Sequence, residues 1–204
     1  MKALHAFVFL LLALCGALPA SAADIADYFK LYYLQQIAPN PNGDVLDFLR
    51  EGPDQALTAS ASRAVTIDRA NGYLQVRDSA GTDQVLTMAV YRKADGGQLL
   101  VVGSSECADA CNFSVEFLAV AGDRERPVAL ETVMPAIDPA RFIKTGRTGP
   151  TNAPKINYVP ARVGTTLTLK PWYGYEVEEQ MKKEMRAAIQ DVVLTWDSGS
   201  GRFR

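Results

Sequence analysis

The chain has 204 residues, with 21 Lys and Arg set against 23 Asp and Glu, a formal charge of −2 and a single histidine. Without an extended basic block, nucleic acid is excluded as an expected partner. Near-average proportions, 48% hydrophobic and 22% charged, exclude a disordered tail and fit a folded domain with a sizeable core.

Residues 1–22 read as a cleaved export signal: basic Lys2, an apolar run from Ala6 to Leu14, and small residues up to Ala20-Ser21-Ala22. Cleavage after Ala22 leaves one domain, residues 23–204, with no histidine, because the only one is His5. The apolar run is far shorter than the ~20 residues a spanning helix needs, so no permanent membrane anchor is expected. Bulky Leu14 before Cys15 disfavours lipidation there. A periplasmic or secreted location is the expectation.

Behind a capping Asp24, Ile25, Phe29, Tyr32 or Tyr33, and Gln36 or Ile37 recur at helical spacing and predict an amphipathic helix over 24–37. Of Tyr32 and Tyr33, at most one ring can face the core. The run Pro39-Asn40-Pro41-Asn42-Gly43 breaks this helix, and a second, Asp44 to Glu51, ends at Gly52-Pro53. From Val65 the period becomes two. Leu74 and Val76, then Leu86, Met88 and Val90, alternate with their neighbours, and Asn71-Gly72 and Asp95-Gly96-Gly97 supply hairpin turns. Leu99 to Val102 is apolar on both faces, as in a central strand, and Phe113, Val115 and Phe117 alternate again. This pattern predicts an antiparallel meander.

Cys107 and Cys111, the two cysteines left after cleavage, are expected to be oxidised in an exported chain. So short a closure is worth about 2 kcal/mol, and its role is to fix a loop between two strands. The other reading, a redox or Cu(I) site, lacks the C-x-x-C spacing and any histidine, and Met88 or Met134 would have to serve as a remote soft ligand. No metal and no cofactor are expected.

Asp138 and Pro139 open a short helix within 137–143, and a Gly/Pro-rich loop fills 145–154. Strand character returns at 165–170. A helix over 176–188 carries Glu178 with Lys182 and Glu179 with Lys183 at i, i+4, with Val177, Met181 and Met185 along one face. Val192, Leu194 and Trp196 mark a last strand. The class is α+β: an N-terminal helix pair packed on a curved antiparallel sheet.

Serine triads lack their imidazole, and Ser-x-x-Lys and Gly-x-Ser-x-Gly do not occur. The segment 145–151 has glycines and Arg147 but not the P-loop spacing, and reads as an exposed loop. Paired carboxylates remain available to a glycosidase, with Glu106 and Asp109 or Asp123 and Glu125 as candidates, although loop acids are ordinarily just solvated. The run Lys170-Pro171-Trp172-Tyr173-Gly174-Tyr175 crowds three aromatics at a turn. Such rings either cover the edge of the core or form a surface that stacks on sugars or anchors a protein. Asn112-Phe113-Ser114 is a sequon that matters only in a glycosylating pathway.

Asp47-Phe48-Leu49, the strand Leu99-Leu100-Val101-Val102 running into residues 107–114, and the close from Thr195-Trp196-Asp197 to Arg202-Phe203 carry a resemblance. They resemble a family of secreted bacterial domains of unknown function whose fold is similar to beta-lactamase inhibitor protein. The resemblance implies a helix-plus-sheet unit used about twice, over 23–130 and 131–204. It supplies no catalytic residue, and the chain has no inhibitory-loop motif. The expectation is a non-enzymatic binding domain for a protein or envelope glycan partner, using Trp172, Tyr173, Tyr175 and Arg147. The alternative is a carboxylate-dependent hydrolase of envelope glycans.

Overall fold

The computed structural model describes residues 24–40, 43, 45–122, 124–150, 152–174 and 179–204, with backbone alone for 179–182. The export signal and Tyr175 lie outside the described residues.

Helix α1, Ile25–Tyr32, starts at a capping box in which the Asp24 side chain accepts from the Ala26 N–H and the Asp27 side chain accepts from the Asp24 N–H. A π-helical turn, Tyr33–Ile37, extends it. The second helical region is a 3₁₀ turn, Asp47–Glu51, stopped at Gly52 with φ of 99°, after which Pro53 opens the single turn α2, Pro53–Ala56. The break lies where the sequence places it, and the fixed φ of Pro53 favours a new helical turn beginning at that residue.

Six consecutive strands make the first sheet: β1 Arg63–Asp68, β2 Tyr73–Asp78, β3 Asp83–Arg92, β4 Gln98–Cys107, β5 Cys111–Ala121 and β6 Arg124–Pro127. Each is antiparallel to its neighbour in sequence, so spatial order equals chain order. After α3, Leu130–Val133, and a 3₁₀ turn, Pro139–Phe142, the second sheet has the order β10-β9-β8-β7. Its strands are β7 Lys155–Pro160, β8 Thr166–Trp172, β9 Val192–Asp197 and β10 Arg202–Phe203, with helix α4, Glu179–Ala188, between β8 and β9. The protein is thus α+β, mostly antiparallel sheet with few helices.

Side-chain alternation gives the first sheet two buried faces. Leu74, Val76, Leu86, Met88, Leu100, Val102 and Leu118 pack under Ile25, Tyr28, Phe29, Tyr32 and Phe48. Their odd-numbered neighbours Tyr73, Ala89, Tyr91, Leu99, Val101 and Phe117 pack on Leu167, Leu169, Val192, Leu194, Trp196 and Phe203. The order of layers is therefore helices, sheet, sheet. Polar ties join the two sheets: Trp196 Nε1 donates to the Arg92 carbonyl at 2.8 Å, the Tyr91 hydroxyl to the Thr166 carbonyl at 2.9 Å, and Arg162 to Asp68 at 2.9 Å. At the other margin, Arg63 is buried and holds Asp78 at 2.7 Å and Glu51 at 2.9 Å, fastening the 3₁₀ turn to the β1–β2 edge.

Candidate functional site

Two different surfaces meet at the tip of the β4–β5 hairpin. Cys107 ends β4, Cys111 begins β5, and the two are cross-strand partners joined by a disulfide with Cα atoms 4.2 Å apart. Short-range closure of this kind constrains little of the unfolded chain and chiefly fixes the tip.

On the face toward the second sheet, Phe113 meets the Trp172 ring edge-on at 6.1 Å. Lys155 Nζ lies 5.2 Å above that ring and donates to the Cys111 carbonyl at 3.0 Å and to Asn112 Oδ1 at 3.4 Å. Trp172 is not in a turn: it is the last residue of β8, opposite Lys155 in β7. Trp172 and Tyr173 are both half-buried, and burial raises the Tyr173 hydroxyl above the ordinary tyrosine value. Arg147 belongs elsewhere. Its loop is tied to the end of α4, with Lys144 N–H donating to the Ala188 carbonyl and Arg147 N–H to the Lys144 carbonyl.

On the face toward the helices, a cleft of about 320 Å³ opens beyond the π-helical turn. Ile37, Leu46 and Leu49 form an apolar wall, and Ser104, Glu106, Ser114 and Glu116 form a polar one. These four stand at the even positions of β4 and β5, continuing the apolar stripe of Leu100, Val102 and Leu118 past the end of the helix layer. The serine hydroxyls bond each other at 2.7 Å, Glu106 accepts from Gln84 Nε2 at 2.9 Å, and Glu116 accepts from the Tyr32 hydroxyl at 2.8 Å. Of the two tyrosines at the end of the predicted helix, Tyr32 is the buried one and Tyr33 is half-buried. Tyr32 is raised above the ordinary range by burial first and by Glu116 second. Polar residues at core-facing parity are the signal in the sequence that marks this cleft, and aromatic content alone does not reveal Glu106 and Glu116 in its wall.

Of the two expected carboxylate pairs, the described residues bear on Glu106 and Asp109 alone, and these two stand apart. Glu106 lines the cleft while Asp109 sits exposed on the hairpin loop, and Asp123 lies outside the described residues. Glu125, on β6 opposite Val120, is 6% exposed, and neither of its carboxylate oxygens has a hydrogen-bond partner among the described residues. Burial, with a smaller contribution from the Glu116 charge, raises its pKa to about 7. The folded protein therefore holds this proton more tightly than the unfolded chain. Its contribution to stability is complete below about pH 4.5 and is lost as pH rises through about 7. Between pH 5 and pH 8 the native protein is expected to lose on the order of 2 kcal/mol from this group, and Glu125→Gln to flatten that slope. Urea titrations across the range check it; parallel slopes for the two proteins would refute the assignment.

Among the described residues, no group of three or more His, Cys, Asp and Glu could hold a metal ion, and no helix is long and apolar enough to cross a membrane. No family model and no curated protein matches the chain. A solved structure does: a domain of an uncharacterized protein from Porphyromonas gingivalis W83 superposes with a TM-score of 0.58 at 11% sequence identity, spanning 87% of this chain and 96% of that one. The likeness is one of fold alone. It agrees with the coarse class of an α+β domain of unknown function, and it assigns no residue a role.

Proposed function

We propose that residues 1–22 direct export and that the remainder is a secreted or periplasmic, non-enzymatic binding domain for a protein or envelope component. We read its two parts, 23–130 and 131–204, as versions of one helix-plus-sheet plan related to beta-lactamase inhibitor protein. The observation that carries the binding reading is the hairpin tip. Phe113, Trp172 and Lys155 come together from three different strands at one end of the molecule, with a cleft on the other side of the same hairpin. Partly exposed, rigid aromatic surface next to a polar recess is the composition of a recognition site.

The raised pKa of Glu125 beside Glu116 is the single observation favouring a carboxylate-dependent hydrolase. Against it, both Glu125 oxygens are sealed from solvent, so a glycosidic oxygen has no route to them.

The test uses the mature chain as bait against envelope and secreted extracts, with a Trp172→Ala, Tyr173→Ala double variant as control. The native bait is expected to retain a partner whose affinity drops at least about tenfold in the variant, the size of effect usual for an aromatic anchor. Equal retention by a variant shown by circular dichroism to be folded would remove the tip from the site.

A further inference from the structure

The β5 strand is more than twice as long as the β6 strand that borders it. Strand β6 pairs only with Leu118–Ala121, and the Val128 N–H reaches the Phe117 carbonyl at 2.7 Å, so among the described residues only β4 pairs with Asn112 to Glu116. Backbone groups on a strand alternate sides from residue to residue. The Phe117 carbonyl meets Val128 and the Cys111 carbonyl meets Lys155, both on the side away from β4. Phe113 and Val115 must therefore aim their N–H and C=O groups outward too, and no described residue bonds to them. Among the described residues this leaves a short open sheet edge at Phe113 and Val115, stopped at one end by Val128 and at the other by Lys155.

Both faces beside that edge are concave. Toward the helices lies the cleft with Glu106 and Glu116, and no Lys or Arg lines it. At the edge itself, where β6 ends, lies a recess of about 280 Å³ lined by Val115, Glu116, Phe117, Leu118, Pro127, Val128 and the exposed Leu130, which Val115 and Phe117 open toward the second sheet. We propose that the β5 edge binds an extended peptide segment of a partner protein by strand addition, its side chains alternating between basic and apolar. The partner residues opposite Phe113 and Val115 exchange main-chain hydrogen bonds with them and place apolar groups in the recess. Those opposite Asn112, Ser114 and Glu116 point toward the cleft, where charge complementarity selects Lys or Arg. A second copy of this chain paired symmetrically about Ser114 does not fit. Pairing two β5 edges antiparallel about Ser114 puts Phe117 of one copy opposite Cys111 of the other, where the first copy's Val128 already stands.

The inference rests on the reading of the protein as a binding domain and names its partner class. The probe is the peptide acetyl-Gly-Lys-Val-Lys-Val-Lys-Gly-amide, titrated into the ¹⁵N-labelled protein while amide exchange is followed. The Phe113 and Val115 amides are expected to become protected. N-methylation of both valines, or Glu in place of each Lys, should weaken binding at least about tenfold. Val115→Pro removes the outward N–H at an edge position where proline is tolerated, and should weaken the native peptide equally without unfolding the protein. Unchanged exchange at those two amides with millimolar peptide overturns the proposal. In the extract experiment, a partner held equally by native and V115P bait overturns the edge and keeps the binding-domain reading. Failure of any partner to bind overturns that reading, and the peptide titration still decides the edge.

Discussion

Arg63→Ala is expected to cost about 3–5 kcal/mol of folding stability, the usual consequence of removing one member of a buried ion pair. Arg63 and Asp78 are each only 7% exposed at the side chain and lie 2.7 Å apart. The same guanidinium donates to both Glu51 oxygens and to the Gln55 carbonyl, and it sits 5.4 Å over the Phe48 ring. Alanine leaves Asp78 buried without its cation and releases the segment 47–56 from the sheet. Burial by itself would raise the Asp78 carboxyl, but the Ala80 N–H and the Arg63 guanidinium outweigh it and hold the pKa below the ordinary range. Glu51 is lowered mainly by its bonds to Arg63. The stability these two carboxylates contribute is present above their unfolded pKa values and falls away in acid, so the gap between native and variant should narrow below about pH 4. Replacing the pair together, Arg63→Met with Asp78→Leu, should recover much of the loss, because no charge is then stranded. Equilibrium urea unfolding measures all three. A single variant within about 1 kcal/mol of native would mean that water reaches Asp78.

Gly103→Ala is expected to destabilise by about 1–3 kcal/mol, and Gly103→Val by more. Alanine in place of glycine within a strand ordinarily stabilises, so the sign is diagnostic. At Gly103 a Cβ would stand 2.6 Å from the Tyr158 carbonyl oxygen, a backbone atom that no rotamer change can move. Accommodating the methyl requires β7 to lift from β4, which loosens the layer that holds Tyr91, Trp196 and Phe203 together. Denaturant midpoints and near-ultraviolet circular dichroism check both effects. A stabilised alanine variant would show that the two sheets can separate there freely.

Strands β2, β3 and β5 of the first sheet are readable because their apolar residues alternate, and its turns carry Asn-Gly and Gly-Gly. Apolar character on both faces of Leu99–Val102 correctly marked a strand between two layers. Strand β6 was not readable, since Arg124-Glu125-Arg126-Pro127 carries none of the alternating aliphatic or aromatic side chains that mark a strand and exists through pairing with β5. Strand β7, beginning beside the Gly/Pro-rich loop, shows its pattern only in Ile156 and Tyr158, which need the other sheet to bury them. Pro171 suggested a turn; in the structure it lies in β8 opposite Ile156, past the last residue paired with β9, where no N–H is required. Near the hairpin tip, the disulfide was legible from the two cysteines of an exported chain. Phe113, Lys155 and Trp172 meet only because strands distant in sequence bring them together, which no local pattern shows.

Because every strand of the first sheet pairs with its neighbour in sequence, a chain emerging amino terminus first can close each hairpin from β1 to β6 before residue 155 has emerged. Leu99, Val101 and Phe117 then form an uncovered apolar face until β7 to β10 arrive to pack on it. The species most exposed to aggregation is accordingly the half-emerged chain, and the native fold is protected by its own carboxyl-terminal half.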